Sequence, residues 1–335
     1  MRRVAEIAGA PAMPGYEALR AGAVLFDRSD RGRWRFTGPK AAETLTGLVT
    51  NDVLALQAGE GLYAAALTPK GKIIADLRIF RDGDEFLLDT GAAAPGWRAM
   101  ARKYINPRVA PFSETSAETA DVGVFGAGAA QLISRAIEDG GCALEQLRPY
   151  AHARVRFKRD GAEALVARAV ELGEIPGFDI ITPAQSAEAI RAELRSLGAT
   201  AAPAEVYAVA RIEAGFPEWG VDMNEDTLAQ EANLDELGAI SYSKGCYVGQ
   251  EVVARIHFRG HVNKTLRRIT FAGDRVPPRG TELVDASGKT VGDTRSAAVS
   301  PRSGGVGIAM VRREIEAGAE LSARWESVEA TIMVI

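Results

Sequence analysis

Cysteine is scarce in this chain: two thiols, Cys142 and Cys246, stand among 335 residues. That excludes a disulfide-dense scaffold and fits a reducing compartment. It also excludes an iron–sulfur cluster held by this chain's thiols alone, because such clusters take about four cysteine ligands. Long apolar runs are missing too, and none approaches the roughly 18 residues of a membrane-crossing helix. Arg2 and Arg3 open the chain as a secretory signal would, but Glu6 and the broken stretch 9–15 leave no apolar segment behind them. No signal peptide is expected. Excess positive charge is absent: 40 Lys and Arg stand against 44 Asp and Glu, a net charge of −4. No global field gathers nucleic acid or anionic membranes, and only a local basic patch is left open.

Several short motifs are missing as well. Gly126-x-Gly128 lacks the third glycine of a dinucleotide fingerprint, and no acid follows at the required spacing. There is no nucleophile elbow and no P-loop. His257 and His261 are four apart, but Gly260 between them interrupts a helix face, so no metal site is expected. What is present is ordinary globular composition, 47% hydrophobic and 25% charged, enough for about two domains with a sizeable core. A soluble, cytoplasmic, multi-domain protein is expected.

The apolar pattern orders the elements. Arg33–Phe36 alternates as a strand, and Pro39 opens a helix to about Leu48. Leu62–Thr68, Ile73–Phe80 and Glu85–Asp89 form a β-meander with Gly-containing turns. A helix from Pro95 carries the stripe Trp97, Met100, Ala101, Tyr104 and Ile105 and ends at Asn106-Pro107. From about 120 to 200 the order strand, helix, strand, strand, helix predicts a small α+β unit with an antiparallel sheet. Thr182 and Pro183 are expected to open the last of these helices, with Gly198 past its end. Pro203 opens another, to about Ala214-Gly215. After residue 262, six strand-like runs with Gly- or Pro-rich turns predict a small β-barrel or sandwich.

The densest unusual segment is Lys244-Gly245-Cys246-Tyr247-Val248-Gly249-Gln250-Glu251. Helical spacing begins at Gln250, which places Cys246 just ahead of a helix start. The helix dipole and Lys244 both favour the thiolate, so a thiol pKa below the free value of about 8.5 is expected. The flanking glycines permit close approach. A buried, inert cysteine at a tight turn is the competing explanation. Cys142 is read as structural.

This octapeptide resembles the signature of the YgfZ family of folate-binding proteins, relatives of the T-protein (aminomethyltransferase) of the glycine cleavage system. Thr50-Asn51-Asp52-Val53, the run 71–78, Lys103-Tyr104-Ile105 and the run 211–215 fall in the family's order, so the resemblance spans essentially the whole chain. It implies a T-protein-like α+β fold, two mixed α/β units and a C-terminal barrel around a central folate channel. The implied boundaries are 1–110 for a folate-binding unit and 111–202 for a ferredoxin-like unit. A return segment at 203–262 would complete the folate site, and the barrel would fill 263–335. The implied function is tetrahydrofolate binding in the assembly or repair of iron–sulfur proteins, including tRNA-modifying ones. Implied partners are folate and iron–sulfur proteins or their assembly factors.

Residue chemistry then selects candidates. A pterin edge presents two N–H groups side by side, and a carboxylate accepts both at once. Glu213, at a helix end where the dipole disfavours it, and Asp76 are the candidate carboxylates. On the strand 73–80, Ile73, Ala75, Leu77 and Ile79 are expected on one face, and Asp76 and Arg78 on the other with Ile74 and Phe80. Arg78 and Arg211 join the binding set, and Lys244, Gly245, Gly249 and Gln250 shape the loop of the reactive Cys246. Arg255, Arg259, Lys264, Arg267 and Arg268 are candidates for folate's glutamate tail. T-proteins carry two adjacent aspartates where this chain has Ala75-Asp76, which weighs against the alternative function, aminomethyl transfer to tetrahydrofolate. Only Phe258 stands among the basic residues as an aromatic platform, so direct nucleic-acid binding is not expected.

Overall fold

A computed structural model describes residues 13–91, 94–138 and 143–335. Cys142 lies outside the described residues. Helix α1 (Tyr16–Ala21) leads to strand β1 (Val24–Asp27). Then come β2 (Gly32–Phe36), α2 (Ala41–Leu48), β3 (Gly61–Leu67), β4 (Ile73–Asp82), β5 (Glu85–Thr90), α3 (Pro95–Tyr104) and β6 (Phe112–Glu114). Strands β2 to β6 form an antiparallel sheet in the order β3-β4-β5-β2-β6. One face packs on α2 and α3 through Leu45, Leu77, Ile79, Trp97 and Met100.

The second sheet follows from β7 (Thr119–Phe125), α4 (Ala129–Ala136), β8 (His152–Arg156), β9 (Glu163–Ala169), β10 (Gly177–Pro183), α5 (Ala187–Ser196) and β11 (Thr200–Ala201). With β1 it has the order β11-β1-β7-β10-β9-β8. Only the β1–β11 pair is parallel. Val122, Val124, Ile133, Phe178, Ile190 and Leu194 fill its helix-covered face.

Helix α6 (Ala204–Ala214) ends at Gly215, whose φ of 75° makes the left-handed C-cap that glycine adopts without strain. After a long irregular stretch comes α7 (Gln250–Arg259). Strands β12 (Lys264–Phe271), β13 (Glu282–Val284), β14 (Thr290–Ser300), β15 (Gly304–Arg312), β16 (Glu320–Trp325) and β17 (Val328–Val334) then close a barrel in the order β12-β15-β14-β13-β16-β17. The expected barrel forms, and closure leaves it no free sheet edge. A central apolar cluster containing Tyr63, Leu67, Phe80, Tyr150, Ile212, Tyr247, Leu266 and Met310 joins both sheets, α6, the Cys246 segment and the barrel. Among the described residues no helix is long and apolar enough to cross a membrane.

Three expectations need correction. The division at residue 110 does not follow the sheets: β1 pairs with β7 and β11, while β6 pairs with β2. Pro183 ends β10 rather than opening a helix; α5 starts at Ala187 after a short 3₁₀ turn. In β4 the register shifts between Ala66↔Ala75 and Leu67↔Ile73, leaving Ile74 as the extra residue of a bulge. The bulge turns Ile73 to the central cluster, opposite Ala75, Leu77 and Ile79.

Candidate functional site

Beyond the bulge β4 alternates as a strand must. Tyr63 on β3 and Asp89 on β5 stand opposite Arg78, and Ala65 stands opposite Asp76. Asp76, Arg78 and Tyr63 therefore share a face, and that face lines a cavity of about 380 Å³. Its other walls come from the end of β1, from α6 and from Phe216–Trp219. Asp76 is buried. Its Oδ2 accepts a hydrogen bond from the Tyr63 hydroxyl at 2.9 Å, while its Oδ1 is buried with no partner. Burial and the neighbouring Asp76 hold the Tyr63 phenol well above its ordinary pKa, so it stays a donor. Gly91 closes one side. A Cβ there would lie 3.1 Å from the Trp219 side chain and 3.4 Å from Asp76 Oδ1.

Four arginines (Arg28, Arg31, Arg78, Arg211) and five carboxylates (Asp27, Asp30, Asp76, Glu171, Glu218) line the cavity. Behind them stand Asp89, Asp121 and Asp179, all fully buried. Arg78 bridges Asp89 at 2.9 Å, Glu171 at 3.0 Å and Asp179. Arg28 holds Glu171 at 3.2 Å and Asp179 at 3.3 Å, and lies 4.7 Å over the Tyr207 ring. Burial works against the charge of Glu171, but Arg28, Arg78 and Arg31 outweigh it and hold its carboxyl down to about 2. Asp121 goes the other way: burial, then repulsion from Asp179, hold it well above the usual carboxylate range. That direction is the one expected in a buried cluster that has more carboxyls than guanidiniums.

Arg211 lines the cavity and is buried, paired with Asp222 at 2.7 Å and Glu218 at 3.0 Å. Ser296, re-aimed by a bulge in β14, donates to Asp222 at 2.6 Å. Glu213, unlike Asp76, Arg78 and Arg211, does not line the cavity. Two residues on from Arg211, it faces another side of α6. There it accepts from the Tyr16 hydroxyl at 2.5 Å, from Arg20 at 2.7 Å and from Ser300. The partner that a carboxylate at a helix end requires comes from within the protein.

The proposed tail-binding arginines also separate. Arg255 and Arg259 border one cavity beside α7, Arg267 and Arg268 another beside the barrel, and none lines the site of Asp76. His257 stacks on Tyr242 at 3.7 Å, with Phe258 edge-on to both rings.

Cys246 is exposed and also lies outside the Asp76 cavity, which corrects its expected place at the channel mouth. Its loop grips the turn end of the β3–β4 hairpin; Asp76 lies about 13 Å further along β4 from Lys72. The buried Lys244 ammonium donates to the carbonyls of Thr46 and, at 2.7 Å, Val49 at the end of α2. Burial lowers its pKa to about 8, against the pull of Asp52 and Cys246. Gly249, at φ 87°, caps α7 with its Cα against Thr68 and Leu67. Gly245 has open space around it. Gln250 opens α7, its N–H donating to Tyr247 at 3.2 Å.

The GCVT N-terminal domain family matches residues 11–241, and the CAF17 C-terminal beta-barrel domain matches 263–334. The tRNA-modifying protein YgfZ of Cronobacter sakazakii is 31% identical over 275 residues, covering 82% of this chain and 78% of that protein. The chain belongs to the YgfZ family. It is also similar to the aminomethyltransferase of Thermotoga maritima, 28% identical over 91% of this chain and 82% of that one. The crystal structure of glycine cleavage system aminomethyltransferase T from Bartonella henselae shares the fold. Its TM-score is 0.82 at 22% identity, over 96% of this chain and 87% of that one. The T-protein-like fold with a closed barrel is thus established for this YgfZ family member.

Sequence reasoning missed Arg28, Arg31, Tyr63, Glu171, Tyr207 and Trp219. The run Asp27–Arg31 reads as a solvated turn, and only its position directly after the buried strand Val24–Phe26 hints that its arginines turn inward.

Proposed function

We propose that the cavity binds tetrahydrofolate or a close derivative, and that the chain acts as a folate-dependent factor in assembling or repairing iron–sulfur proteins, including tRNA-modifying ones. The observation that carries the first part is the orphaned Oδ1 of Asp76. A buried carboxylate oxygen with no partner is costly unless a donor arrives from outside, and a pterin ring brings N–H donors on a flat, apolar body. Aromatic residues Tyr63, Tyr207, Phe216 and Trp219 supply the walls for such a body. Tyr63 already donates to Oδ2, so Oδ1 is the oxygen of Asp76 left without a partner for the ligand. Tyr63 keeps the carboxylate oriented, Arg211 is fixed by Asp222, and Phe216–Trp219 shield the site from water.

The exposed thiol of Cys246 is assigned to chemistry on a partner, away from the folate ring. The alternative, aminomethyl transfer, is favoured by the similarity to named aminomethyltransferases and opposed by Ala75. That residue is fully buried in the apolar cluster under α2 and α3, so this stretch of β4 gives the cavity one carboxylate. No ammonia release from an aminomethyl-lipoyl carrier is expected.

Tetrahydrofolate should raise the melting temperature; at 100 times Kd the linkage is about 2.7 kcal/mol. Asp76→Asn should weaken binding by about 1.5–3 kcal/mol, since a charge-assisted acceptor is lost, while the fold survives. No thermal shift at millimolar ligand, or an unchanged affinity in the variant, removes the assignment.

A further inference from the structure

The cavity that holds Asp76 is poor in positive charge for a site proposed to take a folate. Its four lining arginines face five carboxylates, and each arginine is already paired with a carboxylate of the protein. The exposed charged members of the lining are all acidic: Asp27, Asp30 and Glu218. Asp27 is matched by Arg191 at 2.9 Å and Glu218 by Arg211. No ion pair to Asp30 is found among the described residues. The arginines of α7 and β12 border other cavities and not this one.

A folate presents two unlike ends: an uncharged ring with N–H donors, and a tail in which every γ-linked glutamate adds a carboxylate. The orphaned Asp76 Oδ1 asks for the first, and the acidic opening repels the second. Resting on the pterin reading above, we propose that this site selects its ligand by the ring alone. It would discriminate against the glutamate tail, so the preferred ligand class is a tail-less or monoglutamyl tetrahydropterin rather than a polyglutamate.

Affinities of 6-methyltetrahydropterin, tetrahydrofolate and its triglutamate for the full chain, measured by calorimetry at low ionic strength and again near 0.5 M salt, test this. At low salt the triglutamate should bind several-fold more weakly than the monoglutamate, and the tail-less pterin at least as well as either. High salt should shrink these ratios, because charges at an exposed rim are screened over a few ångström. Asp30→Lys should shift the ratio toward the triglutamate. If affinity rises with each glutamate, or is indifferent to it at low salt, the inference fails while the pterin site stands. If none of the three binds, both fall.

Discussion

At the residue scale, the chain puts its two most distinctive polar groups to different uses in different places. Asp76 is buried and half-satisfied; Cys246 is exposed, beside a lysine that donates to two carbonyls. A small side chain on an exposed loop buries little apolar surface, so Cys246→Ser should leave stability within about 0.5 kcal/mol of the parent and folate affinity unaltered. The same variant should fail to restore iron–sulfur enzyme activity in cells lacking the protein. Full complementation would reduce the thiol to a bystander. Glu171 carries the pH dependence of the charge cluster. Its carboxyl is depressed in the fold, so its contribution is complete above about pH 4.5 and is lost as pH falls toward 2. Asp121, raised, contributes in the opposite sense, favouring the fold at low pH and less as pH rises. The stability gap between parent and Glu171→Gln, from urea unfolding, should therefore narrow between about pH 6 and about pH 3.

At the scale of elements, the Cys246 loop and the hairpin it grips set the design. Both glycines of the motif read alike in the sequence, as permissive residues beside a thiol. The structure separates them. A Cβ on Gly249 would meet the Thr68 carbonyl oxygen at 2.6 Å, at a φ that L-residues avoid, whereas Gly245 meets nothing within 4 Å. Gly249→Ala should cost more than about 1 kcal/mol, and Gly245→Ala should be close to neutral in chemical denaturation. An equal cost for both would show that the loop is held differently. The meander, the helix of Trp97 and Met100 and the barrel strands were all legible, because periodicities of 2 and 3.6 are local. The β4 bulge was not legible: a one-residue register shift is decided by the partner strand, and it reverses Ile73 without leaving a mark in its own alternation.

At the scale of the whole molecule, Glu213 joins elements that are far apart in the chain. It ties α1, through Tyr16 and Arg20, to the end of barrel strand β14, through Ser300. Ser300 in turn accepts from the backbone N–H groups of Arg302 and Ser303 at 3.0 and 2.9 Å. Removing the charge from this part-buried network should lower stability by about 1–3 kcal/mol. Glu213→Gln should accordingly shift the urea midpoint without changing ligand affinity measured on the folded protein. A loss of affinity at unchanged stability would return Glu213 to the binding site.

By itself the sequence determined the α+β class, the six-stranded C-terminal module, the α6 cap at Gly215 and the family. All of these rest on local patterns: spacing of apolar residues, turn glycines and one dense motif. Tertiary structure alone decided which charged residues meet. Arg28 and Arg31 turn inward because β1 leaves the first unit to join the second sheet. Asp76 gains Tyr63 because a bulge sets the register of β4. Glu213 and Arg211, two residues apart, part company because successive positions on a helix point about 100° apart. Cys246 stands apart from the cavity because its loop is held at the far end of the same hairpin. Such pairings join residues far apart in the chain, and no property of either partner's own neighbourhood encodes them.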